Sequence, residues 1–206
     1  MVLRSVFRSF LAKPYFKAII FAVGLSPFCY LVWGAWVDAL GANPAEYLIR
    51  STGELALRFL CFTLVITPLR VMAKLPELLR IRRMLGLFVY FYAVLHLLCY
   101  SWLDMGLEWM DIAIDIAKRP FILVGFTAFA LLTPLAVTSF NRAIRILGAK
   151  YWQRLHRAVY GVAVIAILHF YWMRAGKSNF AEVMLYGGIL AALLLWRVWN
   201  KRFARH

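Results

Sequence analysis

Two histidines lie deep inside separate apolar stretches of this 206-residue chain. His96 is the only side chain that ionises near neutral pH in residues 84–103, and His169 is the only one in residues 158–173. Burying a ring nitrogen in hydrocarbon costs free energy unless something binds it, so a histidine inside a membrane indicates function. Two such histidines on two helices predict one metal between them, and haem iron is the centre that fits two axial imidazoles.

The two histidines are expected at the same depth. His96 lies seven residues before Leu103, and His169 lies four residues before Met173, so each is near the outer end of its stretch. Two axial imidazoles must reach one iron plane, and matching depth makes that geometry accessible. The alternative for either histidine alone is a buried ring that bonds to a neighbouring carbonyl.

A second site is predicted nearer the other end of the same stretches. His156 precedes His169 by 13 residues, a rise of about 20 Å in a continuous helix. Arg82 precedes His96 by 14 residues and is therefore expected at the same depth as His156. On an ideal helix Arg82 lies within about 40° of the face of His96, whereas Arg83 lies about 140° away from it. A continuous helix would turn His156 about 140° away from His169, so the prediction requires either helix tilt or an irregular helix start to correct the offset. The alternatives are an interface histidine and an ordinary loop arginine.

The composition is that of an integral membrane protein. Hydrophobic residues make up 64% of the chain and charged residues 16%, against about a quarter in soluble domains. Stretches of about 20 apolar residues cross a bilayer, and six stretches here predict an all-α bundle of six transmembrane helices in one domain, residues 1–206. The loop from Asp104 to Lys118 is predicted to form an interfacial helix. The six stretches are Ala18 to Trp36, Leu57 to Met72, Met84 to Leu103, Phe121 to Phe140, Ala158 to Met173 and Val183 to Trp196.

Basic and acidic residues alternate along the chain from one connection to the next. Four groups, at the two ends and in the second and fourth loops, hold 18 of the 24 Lys and Arg residues. Basic loops stay cytoplasmic. We therefore expect a protein of the bacterial inner membrane whose termini both lie on the cytoplasmic side and whose acidic loops lie on the outer side. The net charge of +15 is therefore assigned to topology and anionic membrane lipid, not to nucleic acid. The basic residues are Arg4, Arg8, Lys13, Lys17, Arg70, Lys74, Arg80, Arg82, Arg83, Arg142, Arg145, Lys150, Arg154, Arg157, Arg197, Lys201, Arg202 and Arg205, and the outward acids are Asp38, Glu46, Glu54, Asp104, Glu108, Asp111, Asp115 and Glu182.

The cysteines limit the kind of haem that is expected. Cys29, Cys61 and Cys99 all fall inside predicted spans and form no C-x-x-C pair, which argues against a disulfide framework or a zinc site. No C-x-x-C-H motif is present, so a haem here would be non-covalent and b-type. The first apolar run lacks a small-x-small cleavage site, and we expect it to be a retained span.

Seven short motifs occur in order along nearly the whole chain. They are Gly24-Leu25-Ser26-Pro27-Phe28, Thr67-Pro68-Leu69-Arg70, Arg82-Arg83-Met84-Leu85-Gly86-Leu87, Tyr92-Ala93-Val94-Leu95-His96-Leu97, Lys118-Arg119-Pro120, Trp152-Gln153-Arg154-Leu155-His156 and His169-Phe170-Tyr171-Trp172. Together they resemble the MsrQ (YedZ) family, which belongs to a wider group of ferric-reductase-like membrane cytochromes.

The resemblance implies a haem-binding membrane subunit that passes electrons outward to a periplasmic, molybdopterin-containing methionine sulfoxide reductase. It implies electrons from the quinone pool or from a cytosolic flavin reductase, and flavin mononucleotide (FMN) is associated with the family. The family's ligands carry over onto His96, His169 and His156, with Arg82 at the inner site, and one or two b haems are expected. Ten residues follow Trp196, so we expect the electron donor to be separate.

The function that we expect is a one-electron relay across the membrane. The inner site near His156 and Arg82 accepts an electron, and the outer haem on His96 and His169 passes it to the partner, which carries the sulfoxide-reducing site. One alternative is a stand-alone transmembrane reductase of ferric ion or quinone. The other is a non-redox transporter or assembly protein whose buried histidines relay protons.

Overall fold

The computed structural model describes residues 8–11, 13–175 and 180–203, with side chains as far as residue 200. Arg4 and Arg205 of the predicted cytoplasmic groups lie outside the described residues, as do the side chains of Lys201 and Arg202. The described parts of the chain are helices and turns, with no strand. The α-helices are α1 (Pro14–Trp36), α2 (Pro44–Ala73), α3 (Leu79–Cys99), α4 (Trp109–Lys118), α5 (Pro120–Val137), α6 (Asn141–Leu147), α7 (Ala149–His156), α8 (Val159–Ala175) and α9 (Ala181–Phe203).

Six helical segments in the described residues are long and apolar enough to cross a membrane. Each contains most or all of one predicted stretch, so the predicted class, an all-α multi-pass membrane protein, is confirmed. The predicted helix in the loop before α5 is also present as α4, which is not among the spanning segments. The spanning segments are Pro14–Trp36, Pro44–Ala73, Pro76–Asp104, Pro120–Val137, Ala149–Ala175 and Ala181–Asn200.

Helix α2 begins well before the predicted stretch. The Asn43 side chain accepts a hydrogen bond from the Glu46 backbone N–H at 3.1 Å, and Pro44 occupies the first turn, where its missing N–H costs nothing. Glu46 and Glu54 are therefore helical, and their assignment to a loop was wrong. The charges are accommodated because Glu54 pairs with Arg58 one turn later, at 3.0 Å.

The polypeptide between His156 and His169 is not one continuous helix. Helix α7 ends at His156, and α8 begins at Val159. The turn between them uses short-range bonds, from the Arg157 N–H to the Arg154 carbonyl and from the Ala158 N–H to the Leu155 carbonyl. This break supplies the irregularity that the sequence required if the two histidines were to face one seam.

Two helix pairs form the centre of the bundle. Helix α3 packs most extensively against α2, and α5 packs against α8. Tyr92 on α3 is fully buried, and its hydroxyl donates a hydrogen bond to the Gly24 carbonyl of α1 at 2.7 Å. The ring of Phe59 on α2 stacks on Tyr92 with ring centres 5.3 Å apart. These contacts hold α1, α2 and α3 together and thereby fix the orientation of the helix that carries His96.

Replacing Tyr92 with phenylalanine tests this packing. Tyr92→Phe keeps the stacked ring but removes the interhelical hydrogen bond, and we expect the free energy of unfolding to fall by about 0.5–1.5 kcal/mol. Denaturant unfolding in detergent, followed by circular dichroism, measures the change. Tyr30→Phe, at a residue that is 65% exposed, is the control and should leave stability within about 0.5 kcal/mol. An unchanged Tyr92→Phe protein would contradict the assigned role.

Candidate functional site

The structure brings His96 and His169 together. Their ring centres lie 6.2 Å apart, and the ring planes make an angle of 74°. Imidazole nitrogens bind metals at about 2.0–2.1 Å, so two rings on opposite sides of one metal have centres about 6.4 Å apart. The observed separation therefore matches the spacing of two axial ligands on a single ion.

Each of the two rings is fixed by a helix carbonyl. Nδ1 of His96 lies 2.8 Å from the Ile49 oxygen of α2, and Nδ1 of His169 lies 2.7 Å from the Phe121 oxygen of α5. A carbonyl only accepts hydrogen bonds, so each Nδ1 must carry the proton. The lone pair of each neutral ring is then on Nε2, and within the described residues no protein atom bonds to either Nε2. This is the arrangement of metal-ligating histidines, whose second nitrogen donates to a carbonyl or carboxylate.

Both histidines line one apolar cavity of about 280 Å³ among α2, α3, α5 and α8. That volume lies just below the range of about 300–1,000 Å³ that is typical of ligand sites, so a ligand as large as a haem would extend beyond the cavity. In the described parts of the chain no group of three or more His, Cys, Asp or Glu side chains could hold a bare metal ion. A metal here must take its other ligands from a cofactor, and the four nitrogens of a porphyrin meet that requirement. The residues present therefore fit a haem.

Two arginines stand at the rim of this outer cavity. Arg50 lies next to Ile49 and pairs loosely with Glu46, at 3.4 Å. Arg119 caps the start of α5, and its Nε donates to Asp115 at 2.5 Å. Guanidinium groups bind carboxylates in bidentate geometry, so both arginines are suited to the propionates of a haem. Sequence analysis did not select either residue.

The predicted inner residues also meet in one cavity. His156 and Arg82 line a space of about 580 Å³ between the helix ends, together with Arg83, although the sequence favoured Arg82 alone. Arg82 donates to the Thr67 hydroxyl at 3.3 Å. The remaining polar and aromatic lining is Thr63, Tyr90, Ser139, Trp152, Gln153, Arg157, Tyr160 and Arg197.

Arg197 is an inner-site residue that sequence reasoning missed. It comes from α9, donates to the Leu64 carbonyl at 2.7 Å and lies over the Tyr160 ring at 4.9 Å. Its Nε is buried and has no hydrogen-bond partner among the described residues. A buried guanidinium N–H without an acceptor favours an anionic ligand in the cavity beside it. In the sequence, Arg197 looked like one more basic residue at a cytoplasmic helix end.

His156 is held differently from the two outer histidines. Its Nδ1 lies 3.1 Å from the Trp152 carbonyl, and its Nε2 lies 3.2 Å from the Leu135 carbonyl and 3.4 Å from the Ser139 hydroxyl. The Trp152 ring stacks on it with centres 3.9 Å apart. Both ring nitrogens thus face protein oxygens, whereas each outer histidine keeps one nitrogen free.

The two cavities are separated by a thin apolar partition. Leu60, Val89 and Leu132 line both of them, and all three are buried. They come from α2, α3 and α5, the helices that also frame the outer cavity. A ligand in each cavity would therefore be separated from the other by one layer of side chains.

A buried arginine joins three helices near the paired histidines. Arg174, five residues after His169, is 4% exposed and pairs with Glu54 of α2 at 3.4 Å and with Glu182 of α9. These contacts tie α8 to α2 and α9 beside the paired histidines, although both glutamates are partly exposed.

Comparison with known proteins identifies the family to which the chain belongs. The family described as "Ferric reductase like transmembrane component" matches residues 52–167, which include His96 and His156. A protein-methionine-sulfoxide reductase heme-binding subunit MsrQ from Polaromonas naphthalenivorans is 62% identical over 94% of this chain and 88% of its own length. The proteins of the same name from Herminiimonas arsenicoxydans and Bordetella pertussis are each 49% identical, over 90% and 91% of this chain and 87% and 92% of their own. No solved structure matches the chain. The chain belongs to the MsrQ family, with a ferric reductase-like transmembrane component.

Proposed function

We propose that this protein is a b-type cytochrome subunit that relays electrons outward across the bacterial inner membrane to a periplasmic methionine sulfoxide reductase. The observation that carries the proposal is the pair of imidazoles on α3 and α8, whose ring centres are 6.2 Å apart. The names of the relatives, which are heme-binding subunits of a protein-methionine-sulfoxide reductase, support the same assignment.

His96 and His169 would hold the outer haem through their Nε2 atoms. The iron supplies reversible one-electron chemistry when it is bound. The Ile49 and Phe121 carbonyls keep both rings in the tautomer that leaves Nε2 free, so both imidazoles would be available to the iron, and with both bound no position would remain open for oxygen or substrate. Arg50 and Arg119 would pair with the propionates at the rim.

The inner cavity would hold a second redox group. Arg82, Arg197 and Arg157 line it with Tyr160 and Trp152, which suits a planar ligand that carries an anionic group. FMN has this chemistry. A second b haem with His156 as ligand is the alternative, and it requires Nε2 to leave the Leu135 carbonyl. His156 as it stands is suited to hydrogen bonding.

The direction of transfer follows from the charge distribution. The basic connections predict cytoplasmic termini, so the inner cavity faces the cytoplasm and the paired histidines face the periplasm. A donor at the inner cavity, a quinol or a cytosolic flavin reductase, would pass electrons through the layer of Leu60, Val89 and Leu132 to the outer haem. The sulfoxide-reducing site would lie on the periplasmic, molybdopterin-containing partner.

Loss of either outer histidine tests the proposal. His96→Ala and His169→Ala should each lose the same low-spin haem, because one imidazole does not hold a six-coordinate iron. His156→Ala should keep that haem. Absorption spectra with haem quantitation on the purified proteins measure this. A full low-spin spectrum in either outer variant would contradict the pairing.

The same preparations identify the electron acceptor. Reduced wild-type protein should be reoxidised by a methionine sulfoxide reductase together with a sulfoxide substrate, and slowly or not at all by a soluble ferric chelate alone. Fast reoxidation by the chelate alone would support the stand-alone reductase. A wild-type protein that carries no haem, after expression with haem available, would support the non-redox transporter.

Substitutions that replace a charged arginine with neutral glutamine test the inner cavity. Arg82→Gln and Arg197→Gln each remove a guanidinium from the lining, and we expect FMN binding, measured by quenching of flavin fluorescence, to weaken about tenfold or more. The outer haem spectrum should not change. Arg154→Gln is the matched control, because Arg154 stacks on Tyr151 and does not line the cavity. Equal FMN affinity in all four proteins would contradict an anionic-ligand site.

A further inference from the structure

Each outer histidine lies directly against a glycine of the neighbouring helix. A Cβ atom at Gly53 would lie 3.0 Å from Nδ1 of His96, and one at Gly125 would lie 2.7 Å from Cε1 of His169. Carbon atoms in ordinary contact are about 3.5–4.0 Å apart. The imidazoles thus occupy the space that any other residue would need for its side chain.

The two glycines stand at the same position relative to the carbonyl that holds the ring. Gly53 follows Ile49 by four residues, and Gly125 follows Phe121 by four. In an α-helix the carbonyl of residue i accepts from the N–H of residue i+4, and its second lone pair can accept another bond. Each imidazole therefore packs against one turn of the neighbouring helix. It donates a hydrogen bond to the carbonyl at the start of that turn and contacts the glycine at the end of the turn.

We propose that Gly53 and Gly125 are positioning residues for the axial histidines, each forming with its carbonyl a cradle that fixes one imidazole. This inference rests on the proposed haem ligation by His96 and His169. A methyl group at either position would push the ring away from the helix and lengthen its Nδ1 hydrogen bond. That bond orients the ring and raises its basicity as a ligand, so its loss weakens binding of the metal.

The rest of the chain offers controls that separate positioning from packing. A Cβ at Gly34 would lie 2.6 Å from Cδ2 of Leu40, a clash as close as the one at Gly125 but remote from both histidines, since neither residue lines their cavity. Gly161, on the same helix as His169, has no atom within 4 Å of its built Cβ. Gly34→Ala therefore reports on strained packing alone, and Gly161→Ala reports on the substitution alone.

The experiment compares full-length Gly53→Ala and Gly125→Ala with the wild type. Loss of an outer-shell partner lowers metal affinity about 10–100-fold, and we expect haem titration of the apoproteins to show a loss in this range. The midpoint potential of the bound haem should rise, because a less basic imidazole stabilises ferric iron less. Gly125→Ala should have the larger effect, since its clash is closer. If Gly125→Ala does not fold, Gly53→Ala, whose steric clash is smaller, provides the test.

The controls decide the outcome. Gly34→Ala should unfold more easily but keep the wild-type haem affinity and potential, and Gly161→Ala should match the wild type in all measurements. Unchanged affinity and potential in both cradle variants would overturn the inference while leaving the haem site intact. Equal shifts in Gly34→Ala would overturn it as well, because packing alone would then explain them. A wild-type protein without haem would instead overturn the proposed function.

Discussion

The site depends on one hydrogen bond made twice, from the Nδ1–H of a buried imidazole to a helix carbonyl. The bonds from His96 to Ile49 and from His169 to Phe121 place each proton on the nitrogen that faces protein. They leave each Nε2 with its lone pair and no protein partner in the described chain. His156 differs, because both of its nitrogens lie against carbonyl oxygens, of which a neutral ring can donate to only one. The difference between the histidines is thus one of hydrogen bonding and not of burial alone.

The fold can be understood as support for this pair of bonds. His96 on α3 bonds to a carbonyl of α2, and His169 on α8 bonds to a carbonyl of α5. Each bond therefore lies within one of the two closely packed helix pairs. Tyr92 fixes α3 against α1, and Arg174 ties α8 to α2 and α9. A rotation of either helix by a fraction of a turn would separate the imidazoles. Glycines against the rings allow the close approach.

Much of this arrangement could be predicted from the sequence, and the remainder could not for physical reasons. His96 and His169 were identifiable because each is the one ionisable group in an apolar run, at matching depth. The 140° offset of His156 on an ideal helix indicated an irregularity, and the break before Val159 provides it. The carbonyl partners and Gly53 and Gly125 were not identifiable, because helix rotation is set by packing. Arg197 resembled any cytoplasmic arginine. The predicted length of α2 was too short, because Glu54 was assigned to a loop on account of its charge. Its ion pairs with Arg58 and Arg174 accommodate that charge within the helix.

Electron paramagnetic resonance of the ferric, haem-loaded protein tests the central claim most directly. With both imidazoles bound at the 74° angle between their ring planes, the iron would be low-spin and two of its d orbitals would be nearly equal in energy. The account predicts one strongly anisotropic low-spin signal, with a much larger maximum g value than parallel imidazoles give. A high-spin signal from the intact protein would contradict it, because one axial position would then lack an imidazole.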